Sequence, residues 1–379
     1  MSKVGILEAD PTRFGGIQEF VRTLASYLPP EQTELLAYYG DLTQEKPLPC
    51  RLVLLNNRES RSFFSRCFRS QKNDYYSNSS LRRKIALLQD LFHIRKNLEK
   101  RYPGGDILIV NSVSSLMLFC SKKVLKNNQI ILVQHSDPRI MYHRSFDFGG
   151  IFRRRKIELF RKYVDVFVLL SEHMTEKFAS YLPLERKELV VIRHAVKFPA
   201  RISTAFPNAV AMLCRLVPLK RVDRLIDCAK LLPNVTFNIY GTGPEEEKLK
   251  KAAGQLSNVF FHGYVNDIDR VFMDNSLLAI TSEYEGYPIS GIEACVRGRP
   301  MVVLDTFSAA SDLVENDVNG ILLEQFSPEN FSNAICRILK NPEKFQTGAL
   351  QHRNLYRCDT AKEKWLNLLQ KEKRNVSNV

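Results

Sequence analysis

Short apolar runs alternate with amphipathic stretches along nearly the whole chain. In residues 1–200 the runs Val4–Glu8, Glu34–Tyr39, Leu52–Leu55, Ile107–Val110, Ile130–Gln134, Val166–Leu170 and Leu189–Ile192 have the length and the polar borders of buried strands. Between them, Ile17–Leu28, Leu81–Arg101, Ile151–Tyr163 and Met174–Tyr181 carry apolar residues at helical spacing. Strands that alternate with helices predict a parallel sheet covered on both faces. The polar, basic segment 57–80 has no such period and predicts a loop.

The alternation breaks at 197–207, which contains Pro199 and Pro207, and then restarts. Strands are predicted at Ala209–Cys214, Thr236–Tyr240, Val259–His262, Leu277–Thr281 and Met301–Leu304. Helices are predicted near Val222–Leu232, Glu245–Leu256, Ile268–Met273, Gly291–Arg297 and Pro328–Leu339. The expected architecture is α/β, with two Rossmann-like doubly wound domains at 1–198 and 199–358 and a C-terminal helix and tail at 359–379. No repeat is visible in the sequence itself. Two such domains leave a cleft between the carboxyl ends of their strands, which is where this architecture binds ligands.

Composition changes this picture little, and charge changes it more. A chain of 379 residues can fill two cores, and 44% hydrophobic with 25% charged residues is ordinary globular usage. Its eight cysteines form no Cys-x-x-Cys pair and no cluster with histidine, which argues against a disulfide framework or a structural zinc. The N-terminus turns acidic after a short apolar run, and no 18-residue apolar run occurs, so a cytoplasmic location is expected. Residues 51–200 hold 29 basic against 13 acidic side chains and carry the net positive charge of the chain. That points to a polyanionic partner, anionic lipid or nucleic acid, or else to solvated helix faces.

Candidate chemistry collects at strand ends. Gly15 and Gly16 stand between a strand and a helix, where they make either a tight turn or an approach to a phosphate. Arg215, Lys220 and Arg221 follow another strand and suit a diphosphate, or are surface charge beside the turn at Pro218. Gly241 and Gly243 follow the next strand, ahead of an acidic helix start that suits the helix dipole without any ligand. His135 ends a strand in Val133-Gln-His-Ser-Asp137, as a cleft residue or a structural histidine. Glu285 and Glu293 straddle a turn containing Gly286, Pro288 and Gly291. Ser290-Gly-Ile-Glu293 also reads as a capping box, in which Glu293 would only satisfy the Ser290 N–H, but that leaves Glu285 unexplained. A carboxylate at this rim can accept hydrogen bonds from the neighbouring hydroxyls of a ribose or hexose.

Taken in order, the glycine turn at 15 and 16, His135, Arg215 with Lys220, Gly241-Thr-Gly-Pro244, the Glu285 to Glu293 segment with Gly298 and Pro300, and Asp312 to Gly320 resemble the retaining GT-B glycosyltransferases of glycosyltransferase family four. The resemblance implies transfer of a sugar from a nucleotide-diphosphate donor, a UDP-sugar by family precedent, with no metal ion and no other cofactor. It implies that Arg215 and Lys220 hold the diphosphate, Glu293 the ribose, and Glu285 with the backbone of Gly286 and Tyr287 the donor sugar. Gly16 would approach the phosphates from the first domain, and His135 would contact the sugar or the acceptor side. The chain departs from the pattern at Pro288, where a backbone donor is lost, at His194 in place of a frequent Asn, and at Asp312 in place of a frequent Glu.

Acceptors in such a fold bind the first domain. The basic amphipathic stretches with Arg82, Arg83 and Lys84 and with Arg153, Arg154, Arg155 and Lys156 predict a peripheral position on an anionic membrane face. The acceptor expected is a cell-surface glycan, a lipid-linked chain or a teichoic-type polymer. A GT-B nucleotide-sugar epimerase or sugar phosphorylase is the nearer alternative. A nucleic-acid-binding protein is the distant one, because no recognised motif or aromatic platform accompanies the charge.

Overall fold

In the computed structural model the described residues are 2–8, 15–38, 48–55, 81–137, 162–181 and 189–377. The first sheet runs β3 (Arg51–Leu54), β2 (Thr33–Ala37), β1 (Val4–Glu8), β4 (Ile107–Val110), β5 (Gln129–Val133), β6 (Val166–Leu169) and β7 (Leu189–Val191) from edge to edge. The second runs β10 (Val259–Gly263), β9 (Thr236–Tyr240), β8 (Ala209–Leu213), β11 (Leu277–Ile280), β12 (Met301–Leu304) and β13 (Gly320–Leu323). Every pairing is parallel, with Val4 opposite both Thr33 and Ile107, and Leu277 opposite Val210. Central strands such as β1, β4, β5 and β12 are buried along their whole length, which explains why they read as unbroken apolar runs.

Both sheets share one winding. The chain steps outward from the first strand to the second and third, then returns to the other side of the first with the fourth. The reversal opens a crevice at the carboxyl ends of β1 and β4 in one sheet and of β8 and β11 in the other. The two halves thus repeat an architecture that no sequence repeat announces.

A continuous apolar cluster links the halves. It runs from Ile6, Leu108 and Phe167 through Phe20 and Trp365 to Leu278, Ile280 and Ile292, while Val210, Phe237, Phe331 and Ile335 form a separate core on the other face of the second sheet. The last helix, Cys358–Ser377, crosses back to the first half. Its Trp365 is buried 6.2 Å from the Phe20 ring, and Lys364 Nζ donates to the Val191 carbonyl at 3.4 Å. Arg299 fastens the connecting segment: its guanidinium is fully buried, donates to the carbonyls of Phe272 (2.7 Å) and Ala205 (2.9 Å), and lies over Phe206. Burial without a carboxylate partner pulls this group down to about 10.

Several expectations need correction. β13 and the helices Val113–Phe119, Lys122–Asn127 and Pro342–His352 were not signalled by periodicity. The strand and the first two helices are too short to show a period, and the third carries Gly348, whose Cβ position the Val318 carbonyl occupies. The capping box fails as well. The helix Ile289–Val296 starts at Pro288 with no side-chain cap, and Glu293 pairs with Arg297 one turn on. Most of the helix expected at Ile151–Tyr163 lies outside the described residues. Among those residues no helix is long and apolar enough to cross a membrane.

Candidate active site

The crevice is built from the loops at the carboxyl ends of both sheets. From the first half comes the turn after β1. Gly15 has φ 155°, a backbone conformation that residues with a Cβ rarely adopt. The helix Gly16–Tyr27 that follows has no side-chain cap on its first N–H groups. Gly16 lies against Ile289, the first residue of the other uncapped helix, with only 3.3 Å from its Cβ position to Ile289 Cδ1. Two helix N-termini without a side-chain cap among the described residues therefore meet across the crevice, a setting that favours an anion.

His135 follows β5. Its Nε2 lies 3.1 Å from Asn111 Oδ1, and its ring stacks on His194 with centroids 5.3 Å apart and planes 10° from parallel. Phe20 meets both rings edge-on at 4.8 and 4.9 Å. Both Nδ1 atoms are buried without a hydrogen-bond partner. Burial holds His135 well below the usual imidazole range, with His194 adding to it, and burial alone pulls His194 down to about 4. Both rings are therefore neutral near pH 7.

From the second half, β8 delivers Arg215 and the short turn Pro218–Lys220. Arg215 is exposed and its side chain has no partner among the described residues. Thr281 Oγ1 donates to the carbonyls of Lys220 (3.1 Å) and Arg221 (2.9 Å), and Arg221 takes the left-handed φ 50° while paired with Asp223 and Glu283. After β11, Glu285 accepts from Lys220 Nζ and, at 2.7 Å, from Ser282 Oγ, both through Oε1. Gly286 abuts the His135 carbonyl so closely that a Cβ would overlap it. Lys220, Glu285, Gly286, His135 and Gly16 thus converge from separate loops.

Glu293 lies one helical turn further on. Burial raises its carboxyl above the ordinary value against the pull of Arg297, with Glu19 and Asp269 adding to the rise.

Other expected residues are placed differently. Gly241 and Gly243 lie on the backbone of the preceding loop, their Cβ positions filled by the Cys214 and Leu216 carbonyls, and the Gly241 N–H already donates to Gly263 at 2.6 Å. Close strand-end packing accounts for both glycines without a ligand. The Tyr287 side chain turns into the core, 2.7 Å from the Tyr356 hydroxyl, which leaves only its backbone for the crevice. Arg82, Arg83 and Lys84 fall on the helix Leu81–Arg101 where side chains lie outside the described residues, as does the whole of Arg153 to Lys156.

Sequence reasoning missed the contacts that close the crevice. Buried Asp137 accepts from the Ser308 N–H at 2.6 Å and the Ser308 hydroxyl at 2.8 Å, across the two halves. Asp312 meets His173 Nδ1 at 3.1 Å and the His173 N–H at 3.2 Å, with Arg193 3.7 Å away. Asp137 was within reach, two residues beyond His135 in the quoted strand end; Ser308 carries no comparable signal. Among the described residues no group of three His, Cys, Asp or Glu could hold a metal ion.

Two like-wound Rossmann sheets facing one crevice define the GT-B fold. Residues 201–349 match the family model of the glycosyl transferases group 1. The chain is similar to the poly(ribitol-phosphate) alpha-N-acetylglucosaminyltransferase of Staphylococcus aureus (strain COL), at 29% identity over 283 residues, 69% of this chain and 56% of that protein. It is also similar to the poly(glycerol-phosphate) alpha-glucosyltransferase of Bacillus subtilis (strain 168), at 29% identity over 164 residues, 41% of this chain and 24% of that one. The chain therefore spans only part of the length of these relatives. The solved structure of a S. aureus TarM mutant with fondaparinux, alpha-GlcNAc-glycerol and UDP matches with TM-score 0.62 at 28% identity, over 74% of this chain and 58% of that one. Anabaena HepE with UDP and glucose matches over 98% of this chain and 100% of its own at TM-score 0.75; with 17% identity this is a likeness of fold.

Proposed function

We propose that the protein is a retaining glycosyltransferase that moves a sugar from a UDP-sugar to a teichoic-type, lipid-linked or other cell-surface glycan acceptor. The observation that carries the reading is the pairing of Lys220 with Glu285 at the switch point of the second sheet, with Arg215 unpaired among the described residues and the adjoining Gly286 against His135 of the first. Arg215 and Lys220 hold the diphosphate, Glu293 takes the ribose hydroxyls, and Glu285 with the Gly286 and Tyr287 backbone takes the sugar. In the reaction the bond from the anomeric carbon to the β-phosphate breaks and its electron pair leaves with the diphosphate. The acceptor oxygen bonds to that carbon from the same face and passes its proton to the departing phosphate. The two cations stabilise the charge as it develops, which assigns them the role a divalent ion has elsewhere. The similarity to two alpha-glycosyltransferases of phosphate polymers supports the retention and the acceptor class.

On the helix Leu81–Arg101, Gln89, Phe92, Lys96 and Lys100 are exposed on one face, with Phe92 at 63%. An aromatic ring among lysines suits a peripheral position on an anionic membrane.

The test incubates the protein with UDP-glucose or UDP-N-acetylglucosamine, with poly(ribitol phosphate) or poly(glycerol phosphate), in EDTA. UDP release that needs the polymer, and an α linkage by NMR, are expected. A nucleotide sugar interconverted without acceptor would instead identify an epimerase, and a covalent sugar on Glu285 would replace same-face attack.

A further inference from the structure

Lys220 and Glu285 satisfy each other across two loops. Their side chains are only 20% and 11% exposed, and Ser282 donates to the same Glu285 oxygen that Lys220 holds. Glu285 Oε2 has no protein donor among the described residues. The backbone under Lys220 is pinned through Thr281, so the four-carbon stem is what can swing. Arg215 is exposed and has no side-chain partner among the described residues, so a diphosphate can reach it without breaking a described contact.

Resting on the donor reading above, we propose that Lys220 and Glu285 are an exchange pair. The incoming diphosphate takes the Lys220 ammonium from Glu285, and the released carboxylate turns to the hydroxyls of the donor sugar. A carboxylate left bare beside a diphosphate is unfavourable by like-charge repulsion and desolvation. A nucleotide without its sugar must break the ion pair and offers Glu285 nothing in return. A nucleotide sugar breaks the same pair and replaces it with hydroxyl donors. Glu285 thereby discriminates between the intact donor and the nucleoside diphosphate product, and re-forming the pair helps expel that product.

Calorimetric titration of UDP and UDP-N-acetylglucosamine into wild type, Glu285→Gln, Lys220→Met and the double variant tests this. Glu285→Gln should bind UDP about threefold to tenfold more tightly and the nucleotide sugar more weakly, the net size of one ordinary hydrogen bond. In the Lys220→Met background, Glu285→Gln should tighten UDP binding by a smaller factor, because only the like-charge repulsion is left to relieve and the exchange itself runs through Lys220. If Glu285→Gln does not fold, Glu285→Ala carries the same comparison. UDP affinity that is unchanged or weaker in Glu285→Gln, or a gain as large without Lys220 as with it, overturns the exchange and leaves the donor reading standing. Wild type that binds neither nucleotide overturns both.

Discussion

Neutral imidazoles, not imidazolium ions, stand on the first half's side of the crevice. Asn111 Nδ2 donates to the Leu7 carbonyl at 3.2 Å, which turns Oδ1 toward His135 and makes Nε2 the protonated nitrogen. That leaves His135 Nδ1 as the acceptor nitrogen, buried without a hydrogen-bond partner among the described residues. The stack with His194 has a further consequence. Both folded pKa values lie below the ordinary 6.5, so the unfolded chain takes up protons first as pH falls. The stability is complete above pH 6.5 and is lost toward the folded value, about 4 for His194, at about 1 kcal/mol per pH unit for each ring. His194→Phe keeps the stack and removes one titrating nitrogen, so it should flatten that limb in urea unfolding followed from about pH 7 to 5. A slope equal to that of wild type would mean that His194 does not titrate in this way. Glu293 has the opposite sign. Its carboxyl is raised, so the folded protein holds that proton more tightly, and the contribution fades as pH rises past 4.5. Glu293→Gln should therefore keep the melting temperature at neutral pH, with Arg297 still held by Asp269 at 2.6 Å, while weakening UDP binding by about tenfold or more. Equal loss of both would reduce Glu293 to a scaffold residue.

At the scale of elements, the loop after β9 tests how tightly strand ends pack. Gly243 has the Leu216 backbone where a Cβ would go, and backbone cannot change rotamer. Gly243→Ala should cost about 1–3 kcal/mol, or several degrees in a thermal melt. A melt within a degree of wild type would show that the loops yield. The same contact shows what the sequence could tell and what it could not. Buried strands such as Ile107–Val110 and Met301–Leu304 were legible with both ends correct, because a fully buried parallel strand is one apolar run between polar borders. The Gly-x-Gly at 241 was legible as a glycine pair between a strand and a helix and was placed among the donor-binding candidates, but its reason was not legible: the partner is a carbonyl 27 residues away, from Gly243 to Leu216, and a backbone contact leaves no mark on side-chain pattern. Likewise Glu293 matched a capping box in sequence, yet the Pro288 start and the Arg297 pairing decide otherwise.

At the scale of the molecule, what joins the halves was the least legible part of the site. The strand-end cations and the two glutamates announce themselves as charges beside turns, whereas Asp137 with Ser308, and Asp312 with His173, become partners only once two separate sheets are set face to face. Gly286 belongs to the same set. Its φ is not positive, so alanine fits its own backbone, but the added Cβ would overlap the His135 carbonyl of the other half. Gly286→Ala should accordingly spare the folding of each half and hold the crevice open. The donor groups Arg215, Lys220 and Glu293 all belong to the second half, so nucleotide affinity should change little. The joint geometry of donor and His135 should suffer, and a misplacement of about 1 Å corresponds to about a hundredfold in kcat. Gly16→Ala provides the contrast, because its Cβ would meet only the flexible Ile289 side chain at 3.3 Å, and it should lose much less. Steady-state kinetics beside thermal melts separate these cases: a low kcat with near-normal KM for the nucleotide sugar and a near-normal melt is expected for Gly286→Ala, and unchanged kcat would mean that closure against His135 is not part of catalysis.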